Sequence, residues 1–324
     1  MSTLGKAAVL SLAAVLLIPS AASVQPRAEQ EPMVVLVQQP EAQDARTITV
    51  LRDGEAAQME LDTYLTRVVL SELPASFEPE AMQAQAVAAR TFACRQQLRG
   101  KHPDADVCTE SACCQACLSE EQLHARLGDG FAAAWDKASA AVQATEDEVL
   151  TYDGALIEAT YFSCSGGTTE AAAAVWGSDV PYLQSVSSPG EQDAARYQST
   201  ATLSPQAFAA AIRTLDEGLR LSDDPADWVQ GITRTDGGGV DTACIGGRTF
   251  TGTQLRRAFG LNSTKFTLQY RSGAFIFDVL GYGHRVGMSQ YGAEAIARLG
   301  FDYRAILRYY YRGAELTQMD ALNA

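Results

Sequence analysis

Glu72 is the side chain best placed to do acid–base chemistry. It closes the stretch Leu61–Pro74, LDTYLTRVVLSELP, in which Leu61, Leu65, Val68 and Val69 recur at helical spacing and Glu72 falls on the same stripe. Asp62 can cap the start of such a helix, while Pro74 disfavours helical geometry at Leu73 and ends it. A carboxyl group on an apolar face, at the negative end of a helix dipole, is driven toward its neutral form by desolvation and by the dipole. That is how a glutamic acid becomes able to donate a proton near neutral pH. A glutamate at a frayed helix end can also turn out to solvent, and the stripe alone leaves both readings open.

Metal chemistry is a second possibility. The chain has seven cysteines, four of them between Cys108 and Cys117 in KHPDADVCTESACCQAC. An odd count leaves at least one thiol unpaired or bound to metal. His102, Cys108, Cys113 and Cys114 can supply four tetrahedral zinc ligands, two of them adjacent. Disulfides within the cluster are the competing reading, and spacing does not separate the two. His124, in EEQLHAR, reads as a surface residue on a solvated helix. Cys164 with His284 raises the further possibility of a thiol hydrolase, although the local residues match no nucleophile turn.

Several elements must position these groups. Thr47–Leu51 reads as a strand before a turn at Asp53-Gly54, and Val149–Asp153 with Leu156–Phe162 reads as a hairpin about Asp153-Gly154. The second of those strands runs into Ser163–Glu170, SCSGGTTE, whose small residues let backbone approach a ligand closely. Ser204–Arg213 is predicted as a capped helix, Val229–Arg234 as a strand and Phe250–Gly260 as a helix. Strands follow at Phe266–Tyr270 and Ala274–Leu280. Gly281–Ala293, GYGHRVGMSQYGA, then leaves a strand through glycines, carries His284 and starts a helix, a common way to expose a side chain at a cleft. Tyr303–Gly313 is predicted to be mostly core.

Composition bounds the rest. A chain of 324 residues, 47% hydrophobic and 20% charged, suffices for one large domain or two modest ones. Net charge of -14 and a pI near 4.7 argue against nucleic acid or an anionic membrane surface as the main partner. The opening MSTLGKAAVLSLAAVLLIPSAASVQ has one lysine, an apolar run and then small residues, the layout of a signal peptide over residues 1–23 or of an N-terminal anchor. Export follows, to the periplasm or cell envelope. Residues 24–45, rich in Pro, Gln and Glu, read as a linker with a short strand at Met33–Gln38.

The segment Leu61–Cys94, LDTYLTRVVLSELPASFEPEAMQAQAVAARTFAC, resembles the signature of the SpoIID/LytB family: a helix ending in Glu-(Met/Leu)-Pro, a Ser-Phe link, then a helix carrying AQAVAART. The Ser163–Glu170 loop, the Val175-Trp-Gly…Pro181-Tyr-Leu stretch and the Gly281–Ala293 motif are similar to further family segments, and the resemblance covers roughly Thr47 to Leu316. It implies an α+β fold of mixed sheets over 46–318, with a helical catalytic part and metal loop (46–145) and a β-rich part (146–318). In it, the two N-terminal helices share a cleft with the C-terminal Gly-His loop. Characterised members are lytic transglycosylases of bacterial peptidoglycan, with Glu72 at the position of their catalytic acid/base and Arg90 at that of an important arginine. A lysine that relatives often carry is replaced here by Gln83.

The resemblance also implies a structural zinc ion on His102, Cys108, Cys113 and Cys114, with Cys113 where the family pattern has a second histidine. Cys117 is then left to pair with Cys94 or to stay free. His284 and Gln290 become candidates to hold a substrate hydroxyl or N-acetyl oxygen, Ser165 and Gly166 candidates in the small-residue loop, and Trp176 and Tyr182 candidates to stack on sugar faces. Trp176 and Tyr182 could equally fill the core, and His284 could simply order its loop. Arg285 replaces a family glycine and could narrow the cleft or contact a peptide carboxylate. The partners implied are peptidoglycan glycan strands and, since some relatives enhance a wall amidase, an amidase. A non-catalytic binding module and a zinc hydrolase with an open coordination site remain as rivals.

Overall fold

The computed structural model describes residues 46–322; the expected signal or anchor segment, linker and strand at Met33–Gln38 lie outside them. Nine α-helices occur among the described residues. They are α1 (Leu61–Glu72), α2 (Pro79–Arg99), α3 (Glu120–Leu127), α4 (Phe131–Gln143), α5 (Ala172–Trp176), α6 (Pro205–Arg213), α7 (Gly252–Ala258), α8 (Gln290–Arg298) and α9 (Tyr303–Tyr310). The fold is α+β, with small sheets around this helical centre.

In α1 the predicted stripe is buried, and Leu65, Val68 and Val69 are fully so. Each such side chain stabilises the fold by about 1.5–3 kcal/mol. The helix ends at Leu73, whose extended backbone (φ -110°, ψ 148°) is the conformation a following proline enforces. Its start differs from expectation. Glu60 occupies the cap position without a side-chain hydrogen bond, and Asp62 sits inside the first turn, where its charge still complements the dipole.

α2 begins with Pro79 at its first position and stops at Gly100 in the left-handed region (φ 59°). Its alanines let α1, α4, α8 and α9 pack against it from several sides, so most of it is buried. Its small side chains let neighbours approach closely, and the buried Gln85, Arg90, Thr91 and Gln96 show that it sits at the centre of the core by packing and not by being apolar throughout.

Glycine-bearing turns at Asp53-Gly54 and Asp153-Gly154 both have positive φ at each residue, as tight hairpins require. The first joins Thr47–Arg52 to Glu55–Glu60; Val107–Cys108 pairs on the other edge in parallel. After the second turn the chain departs from prediction. Only Ala155–Leu156 pairs back onto Glu148–Tyr152, whose other edge takes Glu315–Gln318. Tyr161–Phe162 pairs instead, in parallel, with Met288–Ser289 of the C-terminal motif. That switch brings the small-residue loop and the Gly-His loop together.

Gln198–Leu203, Ala274–Leu280 and Phe266–Arg271 form one antiparallel sheet, and Val229–Arg234, Val240–Ile245 and Arg248–Thr251 another. The predicted helix at Phe250 starts two residues late, because Thr251 caps it with a capping box shared with Gln254. Ser204 caps α6 as expected.

Apolar packing does not divide at residue 145. The main core draws on both sides of it, from Ile48 to Ala314, and a second cluster built on Phe208, Phe259, Phe275 and Phe277 fills the β-rich part between α6, α7 and the sheets. Among the described residues, no helix is long and apolar enough to cross a membrane.

Candidate active site

Glu72 lies at the end of α1, on the wall of a cavity of about 540 Å³. Gln290, the first residue of α8, donates from Nε2 to Glu72 Oε2 at 3.1 Å, and the Ala116 amide donates to Oε1 at 3.1 Å. Both bonds favour the carboxylate. Burial outweighs them and raises the Glu72 pKa above its ordinary value, with the Arg126 charge also opposing the rise. Arg126 reaches α1 by donating to the Leu70 and Ser71 carbonyls, which also offsets the negative end of that helix.

Gln115 and Tyr161 extend this wall. Gln115 donates to Tyr64 Oη at 3.1 Å and accepts from Tyr161 Oη at 2.6 Å. His284 also faces the cavity. Its Nδ1 accepts from the Val286 amide at 3.1 Å, so the neutral ring carries its proton on Nε2. Burial, with a smaller push from the Arg256 charge, lowers its pKa to about 4, and the imidazole is uncharged at neutral pH.

The structure therefore gathers Glu72, His284 and Gln290 around one cavity, with Cys114 of the ligand set at its edge. Gln290 faces Glu72 itself. Trp176 packs beside His284, with ring centroids 5.5 Å apart, and is 44% exposed at the mouth, outside the cavity lining. Tyr182 is half-buried against the core and its hydroxyl accepts from the Glu158 amide.

Several expected roles are corrected. Arg90 is buried, and its guanidinium donates to the carbonyls of Thr145 (2.7 Å), Val142 (3.0 Å) and Glu148 (3.1 Å). It closes the end of α4 and does not face the cavity. Ser165 and Gly166 are also turned inward: the Ser165 amide and hydroxyl and the Gly166 amide all donate to Glu191 Oε2, at 2.8, 2.8 and 2.9 Å. A Cβ on Gly166 would meet the Leu280 Cβ at 2.9 Å, with φ at +72°, so the glycine serves packing and not ligand approach.

Arg285 is fully buried and pairs with Glu170 at 2.9 Å while donating to the carbonyls of Ser165, Thr168 and Gly237. It neither narrows the cleft nor meets a ligand. The Cys164 thiol is buried, and desolvation followed by the Glu191 charge pushes it up to about 11, which removes the thiol hydrolase. Cys94 and Cys117 are both free; the Cys94 thiol contacts Met319 sulfur at 3.7 Å. His124 is exposed, stacked on Phe131.

Four residues could hold a metal. The donor atoms of His102, Cys108, Cys113 and Cys114 all lie within 4.8 Å of one another, His102 Nε2 being 3.3 Å from Cys114 Sγ and 3.7 Å from Cys113 Sγ. Zinc bonds of about 2.3 Å to sulfur require tetrahedral donors roughly 3.8 Å apart. Donor types and spacing fit zinc. The loop bearing Cys113 and Cys114 continues directly into Gln115 and Ala116, so whatever braces it also sets the Ala116 amide against Glu72.

Sequence reasoning missed Arg126, the Ala116 amide, Gln115, Arg256 and Glu191. Gln115 and Ala116 sit inside the cysteine cluster, where ligand spacing drew attention away from what the loop touches. Glu191 carried no local signal, lying in a stretch without clear periodicity.

A family model described as SpoIID, stage II sporulation protein, matches residues 53–152. Stage II sporulation protein D of Bacillus subtilis (strain 168) is 37% identical over 265 residues, spanning 81% of this chain and 75% of that protein. A protein of the same name from Bacillus amyloliquefaciens shows the same identity and coverage. The amidase enhancer of Bacillus subtilis is 29% identical over 306 residues, 78% of this chain but 40% of its own length. With 37% identity over 81% of its length to a stage II sporulation protein D, the chain belongs to the stage II sporulation protein D (SpoIID) family.

Proposed function

We propose that the protein is a lytic transglycosylase of peptidoglycan, cleaving the MurNAc–GlcNAc bond with formation of 1,6-anhydroMurNAc. One observation carries this reading. Glu72 is the sole carboxyl group among the described residues lining the cavity, and burial raises its pKa. Ordinary glycosidases need two carboxylates, to position water or to form a covalent intermediate. An intramolecular nucleophile removes that need. Protonated Glu72 gives its proton to the glycosidic oxygen as the C1–O bond breaks. The muramoyl C6 hydroxyl then bonds to C1 and returns its proton to the Glu72 carboxylate, which ends the cycle as it began. A pKa above the ordinary carboxylate range suits both steps.

Gln290 and the Ala116 amide hold the carboxylate in the interval between them. Gln115, Tyr161 and neutral His284 offer uncharged partners for sugar hydroxyl and N-acetyl groups. Zinc, when bound by His102, Cys108, Cys113 and Cys114, is structural: four protein ligands leave no open position for water. The setting is extracytoplasmic, after export by the N-terminal segment, and the partner is the glycan strand.

Similarity to the amidase enhancer supports a second reading, a non-catalytic wall-binding protein that assists an amidase. Digestion of purified sacculi separates the two. A transglycosylase releases anhydro-muramyl products detectable by mass spectrometry, and Glu72→Gln abolishes them. An enhancer releases none, and stimulates amidase equally with and without the Glu72 carboxylate.

A further inference from the structure

The cavity at Glu72 does not end at His284. Arg256 and Tyr282 line it and also line an adjoining groove of about 470 Å³, shared with Arg257, Thr253, Gly260 and Asn262. Around the two spaces, the charged side chains among the described residues are Glu72, Arg256 and Arg257. In a chain of net charge -14, the cleft is thus a local island of positive charge.

Arg256 is half-buried, and burial lowers its pKa, with Arg257 adding like-charge repulsion. Its Nε donates to the Leu261 carbonyl at 3.3 Å, which aims the guanidinium, while its two amino groups have no protein partner among the described residues. Arg196 sits over the Tyr282 ring at 4.7 Å, on the same rim. Among the described residues, none of these three arginines is paired with a carboxylate, whereas Arg46, Arg95, Arg285, Arg298 and Arg304 all are. A partly desolvated guanidinium with an open fork is a receptor for a planar anion, because two parallel N–H bonds match a carboxylate.

We propose that Arg256, assisted by Arg257, forms a carboxylate-binding subsite that engages the muramoyl unit of the strand held at Glu72. This deepens the glycan reading and rests on it. Two sources offer the same chemistry: the lactoyl carboxylate of a peptide-free muramoyl residue, and a carboxylate of an attached stem peptide.

Equilibrium binding to the full-length Glu72→Gln protein tests the subsite apart from catalysis. The probes are peptide-free glycan strands, the same strands with lactoyl carboxylates converted to methylamides, strands retaining stem peptides, and chitooligosaccharides of equal length. At least one carboxylate-bearing probe should bind roughly tenfold or more tightly than the methylamide strands, a ratio in keeping with one charge-assisted pair. The peptide-free and stem-bearing arms identify the source. Adding Arg256→Gln and Arg257→Gln should erase the ratio while leaving affinity for neutral strands within about threefold, and Arg256→Lys should keep part of it.

Equal binding of anionic and neutral strands overturns the subsite and leaves the glycan reading intact. Survival of the ratio in the doubly substituted protein, folded as judged by its melting temperature, overturns it as well. Failure of every glycan to bind defeats both.

Discussion

Glu72 accepts two hydrogen bonds that favour its charge, yet burial raises its pKa. Its folded pKa thus exceeds the unfolded value of about 4.3. The folded state then holds more protons than the unfolded chain between those two values, so stability is full below the unfolded pKa and falls as pH rises through the folded one. Glu72→Gln should therefore be more stable than the native protein at neutral pH, with a gap that narrows toward pH 4, read by thermal melts across pH. Gln290→Leu removes a bond to the charged form. It should move the alkaline limb of the pH–rate profile upward and slow the reaction; an unmoved limb would deny Gln290 its influence on the acid. Arg90 behaves differently. Arg90→Met strands three buried carbonyls and should cost about 3 kcal/mol or more in urea unfolding, with kcat of the folded fraction little changed. At this scale the sequence was legible for the stripe that carries Glu72, although both hydrogen-bond partners of its carboxylate come from elsewhere in the chain. It was misread where the decisive partner comes from elsewhere: Arg90 and Arg285 face carbonyls more than forty positions away in the chain.

The elements around the site divide in the same way. α1 and the hairpin turns were readable because local pattern, Pro74 and the Asp-Gly pairs all agree, while α2 came from the family resemblance. The strand expected at Leu156–Phe162 was not, since its second half satisfies its backbone with Met288–Ser289, a partner that periodicity cannot reveal. The loop from His102 to Ala116 is the element with the largest consequence for chemistry. It joins a four-donor cluster to the amide that bonds Glu72. Metal analysis of the purified protein should find one zinc per chain, retained in Cys113→His and lost in Cys113→Ser. Chelation should lower the melting temperature and, by loosening the Ala116 amide, shift the pH–rate profile upward as well. Stability lost with no change in the pH profile would separate the loop's bracing role from any effect on the acid.

For the whole molecule, the question is how the phenylalanine-rich cluster stays in register with the main core. Arg285 and Glu170 form the connection: the pair is wholly buried, Arg285 also binds the Gly237 carbonyl, and Glu170 accepts from Thr235 and the Gly239 amide. Removing one charge leaves the other buried and unpaired, so Arg285→Met should cost about 3–5 kcal/mol, and Glu170→Met with Arg285→Met should recover much of it. Denaturant midpoints in a double-mutant cycle read this directly. Arg256, on α7 of the β-rich part, lines the same cavity as Glu72, so this connection also bears on how the cationic rim is held against Glu72. None of this was visible in the sequence, which places those residues far apart and assigns Arg285 to the cleft. The central claim is that the sugar's own hydroxyl, and not water, completes the reaction begun by Glu72. Digestion of sacculi in heavy-oxygen water measures it. The account predicts anhydro-muramyl ends carrying no label, in amounts that vanish with Glu72→Gln; labelled reducing ends formed by the native protein would contradict it.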